Sequence, residues 1–231
     1  MIDEILPPGV AAAEAFDDAP GTVLFPEEEA FITTAVEKRR REFTTSRACA
    51  RAALAKLGLP NVAIVPGPRG APQWPAGVVG SITHCAGYRA SAVARVQDMV
   101  TLGVDAEPNE ALPSGVLDVI STAGERAWLA QLSAARPDVC WDRLLFSAKE
   151  SVYKAWFPLA QRWLGFEQAD ITVQPAAGTF TARLLVRGPA LDGPQLSGFT
   201  GRWLVRNGLV LTAIALPSRG VVAQQAVGTR L

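Results

Sequence analysis

Lys149, Glu150 and Lys154 lie within the stretch FSAKESVYKAW, residues 146–156. On a helix Glu150 and Lys154 share a face, whereas Lys149 and Glu150 diverge by about 100°. Such a trio suits a solvated helix surface, where an i,i+4 pair contributes only about 0.3–0.5 kcal/mol. Viewed alone that is the favoured reading; the other is half of a site that handles anions. A second piece, GVDAEP at 103–108, puts Asp105 and Glu107 on one face of an extended segment. Two such carboxylates repel unless a cation sits between them. They read either as a solvated strand end or as oxygen ligands for a hard divalent cation such as Mg²⁺. No His/Cys cluster competes for a softer metal. A third piece, GSITHCAGY at 80–88, holds the one histidine of the chain, His84. A lone histidine is more often a hydrogen-bonded structural residue than a base. Gly80 and Gly87 nevertheless allow close backbone approach, and Ser81, Thr83 and His84 concentrate hydrogen-bonding groups. Finally, Arg47 and Arg51 stand one turn apart, with Arg40 or Arg41 two turns earlier, and guanidinium forks match phosphate oxygens. Arg69 sits in the Gly- and Pro-rich loop PGPRGAP, which lacks the Gly-Lys-Ser/Thr ending of a P-loop.

The elements that must carry these residues are legible in outline. PEEEAFITTAVEKRRREFTTSRACARAALAKLG reads as one or two helices, with Pro26 at the start and Gly58 at the end. ASAVARV and MVTLGVDAE alternate around Gln97-Asp98 and suggest a hairpin. Thr122 and Glu125 stand in capping-box spacing ahead of an amphipathic helix. The strongest helix is WDRLLFSAKESVYKAWF, with Leu144, Leu145, Ala148, Val152, Ala155 and Trp156 on an apolar stripe and Pro158 expected to stop it. Asn207-Gly208 between alternating runs signals a closing hairpin. The order helix, strands, helices, strands predicts an α+β layout with mainly antiparallel pairing. Two similar halves, 1–113 and 114–231, dividing near residues 112–116, would fit it.

Composition bounds the function. The chain has 231 residues, 49% apolar and 19% charged, enough to bury a sizeable core. No apolar run nears the ~20 residues that span a bilayer, and MIDEILPPGV lacks the features of a signal peptide. Three scattered cysteines suggest reduced thiols and a cytoplasmic protein. A net charge of zero argues against a dedicated nucleic-acid binder. Yet nine acidic and no basic residues precede Lys38, and seven basic residues against one acid follow from Lys38 to Lys56. That switch reads as oppositely charged solvated helices or as a local anion site.

Taken in order, EKRRREFTTSRACARAAL, GPRGAPQWPAGVVGSITHCAGY, GVDAEP, FSAKESVYKAWFP and RWLGFE resemble the Sfp-type 4′-phosphopantetheinyl transferases, especially the enterobactin-type subgroup. The acidic first 37 residues match none of its motifs. The resemblance implies a fold of two similar α/β halves in pseudo-twofold arrangement with coenzyme A held between them. It implies transfer of the phosphopantetheine arm from coenzyme A to a serine of an apo acyl or peptidyl carrier protein, releasing adenosine 3′,5′-bisphosphate. Carried over by motif, Asp105, Glu107 and Glu150 would ligate Mg²⁺, and Lys149 and Lys154 would face the pyrophosphate. Arg47 and His84 would lie near the 3′-phosphate, Arg69, Ser81 and Thr83 would line the nucleotide loop, and Arg51 would be a lesser contact. Serine attack needs a base, and Glu150 is the candidate. The alternatives are a coenzyme A-binding regulatory protein without turnover, which would have no need of three repelling carboxylates, and a Mg²⁺-dependent phosphohydrolase. The carrier is expected at an exposed basic or apolar patch, with Arg126 one candidate and the neighbouring Trp128 more a core residue. A monomer acting without nucleic acid or membrane completes the expectation.

Overall fold

A computed structural model describes residues 1–18, 21–191 and 194–218. They form two compact units, one of residues 2–102 with 215–218, the other of Met1 with 103–214. The boundary falls inside a strand at Leu102–Gly103, ahead of the 112–116 stretch that the sequence suggested.

The first unit contains β1 (Val10–Ala15), α1 (Pro26–Glu29), α2 (Glu37–Lys56), β2 (Val78–Cys85) and β3 (Tyr88–Arg95). Its antiparallel sheet has the order β1-β3-β2, with Ala92 facing both Ala12 and Ser81. One side of α2 covers this sheet, and Ala50, Ala53 and Leu54 pack with Ile64, Val78 and Val93. β1 was not legible: VAAAEA has weak strand propensity, and its pairing comes from β3. That pairing also explains a difference from the sequence reading. Both edges of β3 are filled by β1 and β2, so β4 (Met99–Pro108) joins the other sheet instead of forming a hairpin with β3.

The second unit continues from Gly103 on β4 through α3 (Val116–Ile120), α4 (Ala123–Ala135), α5 (Trp141–Ala160), β5 (Ala169–Gln174), β6 (Thr179–Leu184), β7 (Gly198–Arg206) and, as far as Ile214, β8 (Leu209–Pro217). The sheet order is β4-β8-β7-β6-β5. Asn207 and Gly208, both at positive φ, make the expected two-residue hairpin turn. The Thr122–Glu125 capping box forms at the start of α4. All six residues of the α5 stripe are buried. Pro158 does not stop α5: it lies in the last turn, where a missing N–H costs one bond, and Gln161 in the left-handed region ends the helix. Gly103 lets β4 approach α5 backbone to backbone. A Cβ there would collide with the Ser151 carbonyl and stand 2.8 Å from Ala155 N. The α+β class with antiparallel sheets is therefore the one expected. No helix among the described residues is long and apolar enough to cross a membrane.

Candidate active site

In the second unit one face of α5 carries Arg143, Glu150 and Lys154, spaced by seven and four residues and so by two turns and one. β4 presents Asp105 and Glu107. Lys154 Nζ donates to Asp105 Oδ1 at 2.7 Å and to the Val104 carbonyl at 3.1 Å. Arg143 Nη1 donates to Glu107 Oε2 at 2.9 Å, while its Nε and Nη2 hold the Glu110 and Ala111 carbonyls. Lys154 thus turns to Asp105, not to the i,i+4 partner Glu150. Arg143 was missed in the sequence, although its position two turns before Glu150 was a usable signal.

The Asp105 charge bears on both glutamates. Burial raises the pKa of Glu150, the Asp105 charge adds to that, and Lys154 opposes both. Burial likewise raises Glu107, with Asp105 again adding and Arg143 opposing. Asp105 itself is 4% exposed. Among the described residues no three His, Cys, Asp or Glu side chains converge closely enough to hold a metal ion. The chemistry of the donors still fits Mg²⁺: all are carboxylate oxygens, and mutual repulsion in a buried setting is what a divalent cation relieves.

Lys149 stands apart from this face. Its ammonium, buried with Glu125, donates to Glu125 Oε2 at 2.9 Å and to the carbonyls of Phe166 and Ala169 at 2.8 and 3.0 Å. Burial lowers its pKa, with Glu125 opposing. Glu125 Oε2 also accepts from Thr122 N, and its Oε1 accepts from Ile171 N. All three ammonium donors are spent inside the fold, and Lys149 ties α5 to α4 and the start of β5.

In the first unit Arg39, not singled out in the sequence, brings Nη1 to 2.8 Å from His84 Nε2. A guanidinium only donates, so Nε2 accepts and the proton sits on Nδ1, which faces Glu42 Oε2 at 3.7 Å. Arg47 is buried, donates from Nε to the Ile64 carbonyl at 2.6 Å, and lies over the Phe43 ring. Burial pulls its pKa down to about 10, Glu28 opposes, and the nearby Arg39 and Arg51 charges add to the fall. Arg51 is spent on the buried Glu28, at 2.8 Å to Oε2 and 3.0 Å to Oε1. Glu28 also accepts from Ile64 N and Phe25 N. Arg40 pairs with Glu29. Ser81 and Thr83 are buried on β2, and Arg69 is exposed at a positive φ of 54°. Arg126 is exposed and donates to Ser121, whereas Trp128 is half-buried with Nε1 on the Ile171 carbonyl.

Two family descriptions match this chain. Residues 27–94 match the 4′-phosphopantetheinyl transferase N-terminal domain, and residues 101–197 match the 4′-phosphopantetheinyl transferase superfamily. The chain is 57% identical to 4′-phosphopantetheinyl transferase Svp of Streptomyces mobaraensis, over 97% of this chain and 93% of that one. It is 49% identical to 4′-phosphopantetheinyl transferase PptT of Mycobacterium tuberculosis, over 94% and 98%. A shorter match, 34% identical over 61% of this chain and 58% of the other, is to enterobactin synthase component D of Salmonella typhi. With Asp105 and Glu107 of β4 and the whole of α5 inside the matched stretch, and whole-chain relatives at this identity, the chain belongs to the 4′-phosphopantetheinyl transferase superfamily.

Proposed function

We propose that the protein transfers the 4′-phosphopantetheine arm of coenzyme A to the serine hydroxyl of an apo carrier protein, with Mg²⁺ as cofactor and adenosine 3′,5′-bisphosphate as the second product. The observation that carries this reading is the single α5 face bearing Arg143, Glu150 and Lys154 opposite Asp105 and Glu107. Asp105, Glu107 and Glu150 would hold Mg²⁺, which supplies charge neutralisation for the diphosphate. Glu150, beside Asp105 and Lys154, takes the serine Oγ proton. The Oγ–phosphorus bond forms at the β-phosphate as the bridging phosphorus–oxygen bond breaks, and the nucleotide leaves. Lys154 offsets the charge that builds on the phosphates. Arg39 and His84, with Arg47, Arg69, Ser81 and Thr83, are assigned to the 3′-phosphate and adenosine end of the donor. Arg51 and Lys149 keep the structural roles described above.

The test is incubation with coenzyme A, Mg²⁺ and an apo carrier. A mass gain of one phosphopantetheine arm on the carrier, lost on chelation, supports the reading. Coenzyme A binding without transfer to any carrier would point to a regulatory protein, and cleavage without a carrier to a phosphohydrolase. Carriers of polyketide and nonribosomal-peptide assembly, siderophore systems included, are the first to try. Glu150→Gln should retain coenzyme A binding and lose about 10²–10⁴-fold in transfer rate if Glu150 is the base. Loss of cation binding alone would leave it a ligand.

A further inference from the structure

The carboxylate that a divalent cation needs is held by a side-chain cation. Lys154 Nζ is 2.7 Å from Asp105 Oδ1, and Arg143 Nη1 is 2.9 Å from Glu107 Oε2. The two basic residues are not equivalent. Arg143 spreads a planar fork over Glu107 and two backbone carbonyls, at 2.9 Å for Glu110 and 3.1 Å for Ala111. Those carbonyls belong to a segment sewn to the start of α5 by further bonds: Leu112 N to Asp142, Cys140 N to Asn109 Oδ1, and Asn109 Nδ2 to the Asp138 carbonyl. Arg143 is therefore built in. Lys154 has two such bonds on a flexible four-carbon stem, and a quarter of its side chain is exposed. An ammonium of that kind exchanges partners readily.

Building on the transferase reading, we propose that Lys154 is an exchangeable internal counter-ion that couples entry of the divalent cation to entry of the diphosphate. In the unliganded protein its ammonium occupies Asp105 and lowers affinity for free cation, both by competition and by like charge. A diphosphate offers the ammonium a better partner and vacates Asp105. The cation and the donor then favour each other's binding, by the same factor in either direction.

The probe is Mn²⁺, titrated into the full chain by electron paramagnetic resonance with and without coenzyme A. Wild-type protein should bind Mn²⁺ weakly alone and about tenfold or more tightly with coenzyme A, and coenzyme A should gain equally from Mn²⁺. Direct contact between cation and phosphate would also give such coupling, so the decisive arm is Mn²⁺ alone. Lys154→Met should tighten it about tenfold and shrink the coupling, while Lys154→Arg, which keeps the charge, should leave it weak. Lys154→Met binding Mn²⁺ alone no more tightly than wild type overturns the proposal. Should that variant not unfold cooperatively in a thermal scan, Lys154→Gln takes its place under the same criterion. These readouts need no carrier. Transfer to a carrier tests the catalytic reading separately, so either idea can fail without the other.

Discussion

Glu150 sits where two demands conflict. Folding is easier with its carboxyl neutral, because burial and Asp105 both penalise the charge, while a base or cation ligand must be charged. In cation-free protein its folded pKa is raised, so its contribution to stability is full below the ordinary carboxyl range. That contribution is lost as pH rises through the folded value. Glu150→Gln should therefore raise the melting temperature near neutral pH in the presence of chelator, with the gain vanishing near pH ~4, close to the ordinary Glu value. Thermal scans at the two pH values check this, and a lower melting temperature at neutral pH would refute it. The residue types and spacings of Asp105, Glu107, Glu150 and Lys154 were readable in the sequence. The partners were not, since a flexible lysine four residues from a glutamate has no local reason to choose Asp105.

At the scale of elements, two features set the phase of α5. Gly103 is one: with the Ser151 carbonyl in the way of any Cβ, β4 and α5 would have to separate. Gly103→Ala should cost about 3 kcal/mol by denaturant unfolding, at the upper end of core overpacking, and lower transfer with it. The other is the Lys149–Glu125 tie. Lys149→Met leaves a buried carboxylate without its cation and should cost about 3–5 kcal/mol, whereas Lys149→Met with Glu125→Gln, which removes the charge and keeps an acceptor for Ile171 N, should recover part of that. Coenzyme A affinity in the double variant within a few fold of wild type identifies Lys149 as an anchor. A large loss there would return it to the phosphates. The capping box foretold that Glu125 would turn back to Thr122. It did not foretell that the same carboxylate would also meet Lys149 and Ile171 N.

At the scale of the whole molecule, the sequence's switch from acidic to basic residues is met by local pairing among the described residues. In the first unit the acidic opening meets the basic helix and sheet: Glu28 takes Arg51, Glu29 takes Arg40, and Asp18 takes Arg89 and Thr45. Glu28→Ala should thus cost about 1–3 kcal/mol in the unfolding of the protein, because it leaves the buried Ile64 amide unsatisfied and takes the carboxylate from the half-buried Arg51. Glu29→Ala, at a partly exposed pair, should cost about 1 kcal/mol or less. The sequence by itself determined the α+β class, the buried stripe of α5, the Asn207-Gly208 turn and the set of carboxylates and lysines. Each of these rests on local periodicity, turn chemistry or residue type. Only the tertiary structure decided that β1 fills the edge of β3, that Arg39 meets His84 and Arg143 meets Glu107, that Lys149 meets Glu125 and Arg51 meets Glu28, and that Lys154 meets Asp105. Those choices join residues that lie far apart in the chain, 49 positions for Lys154 and Asp105. They depend on which polar groups burial leaves within reach, and no short window of sequence contains that.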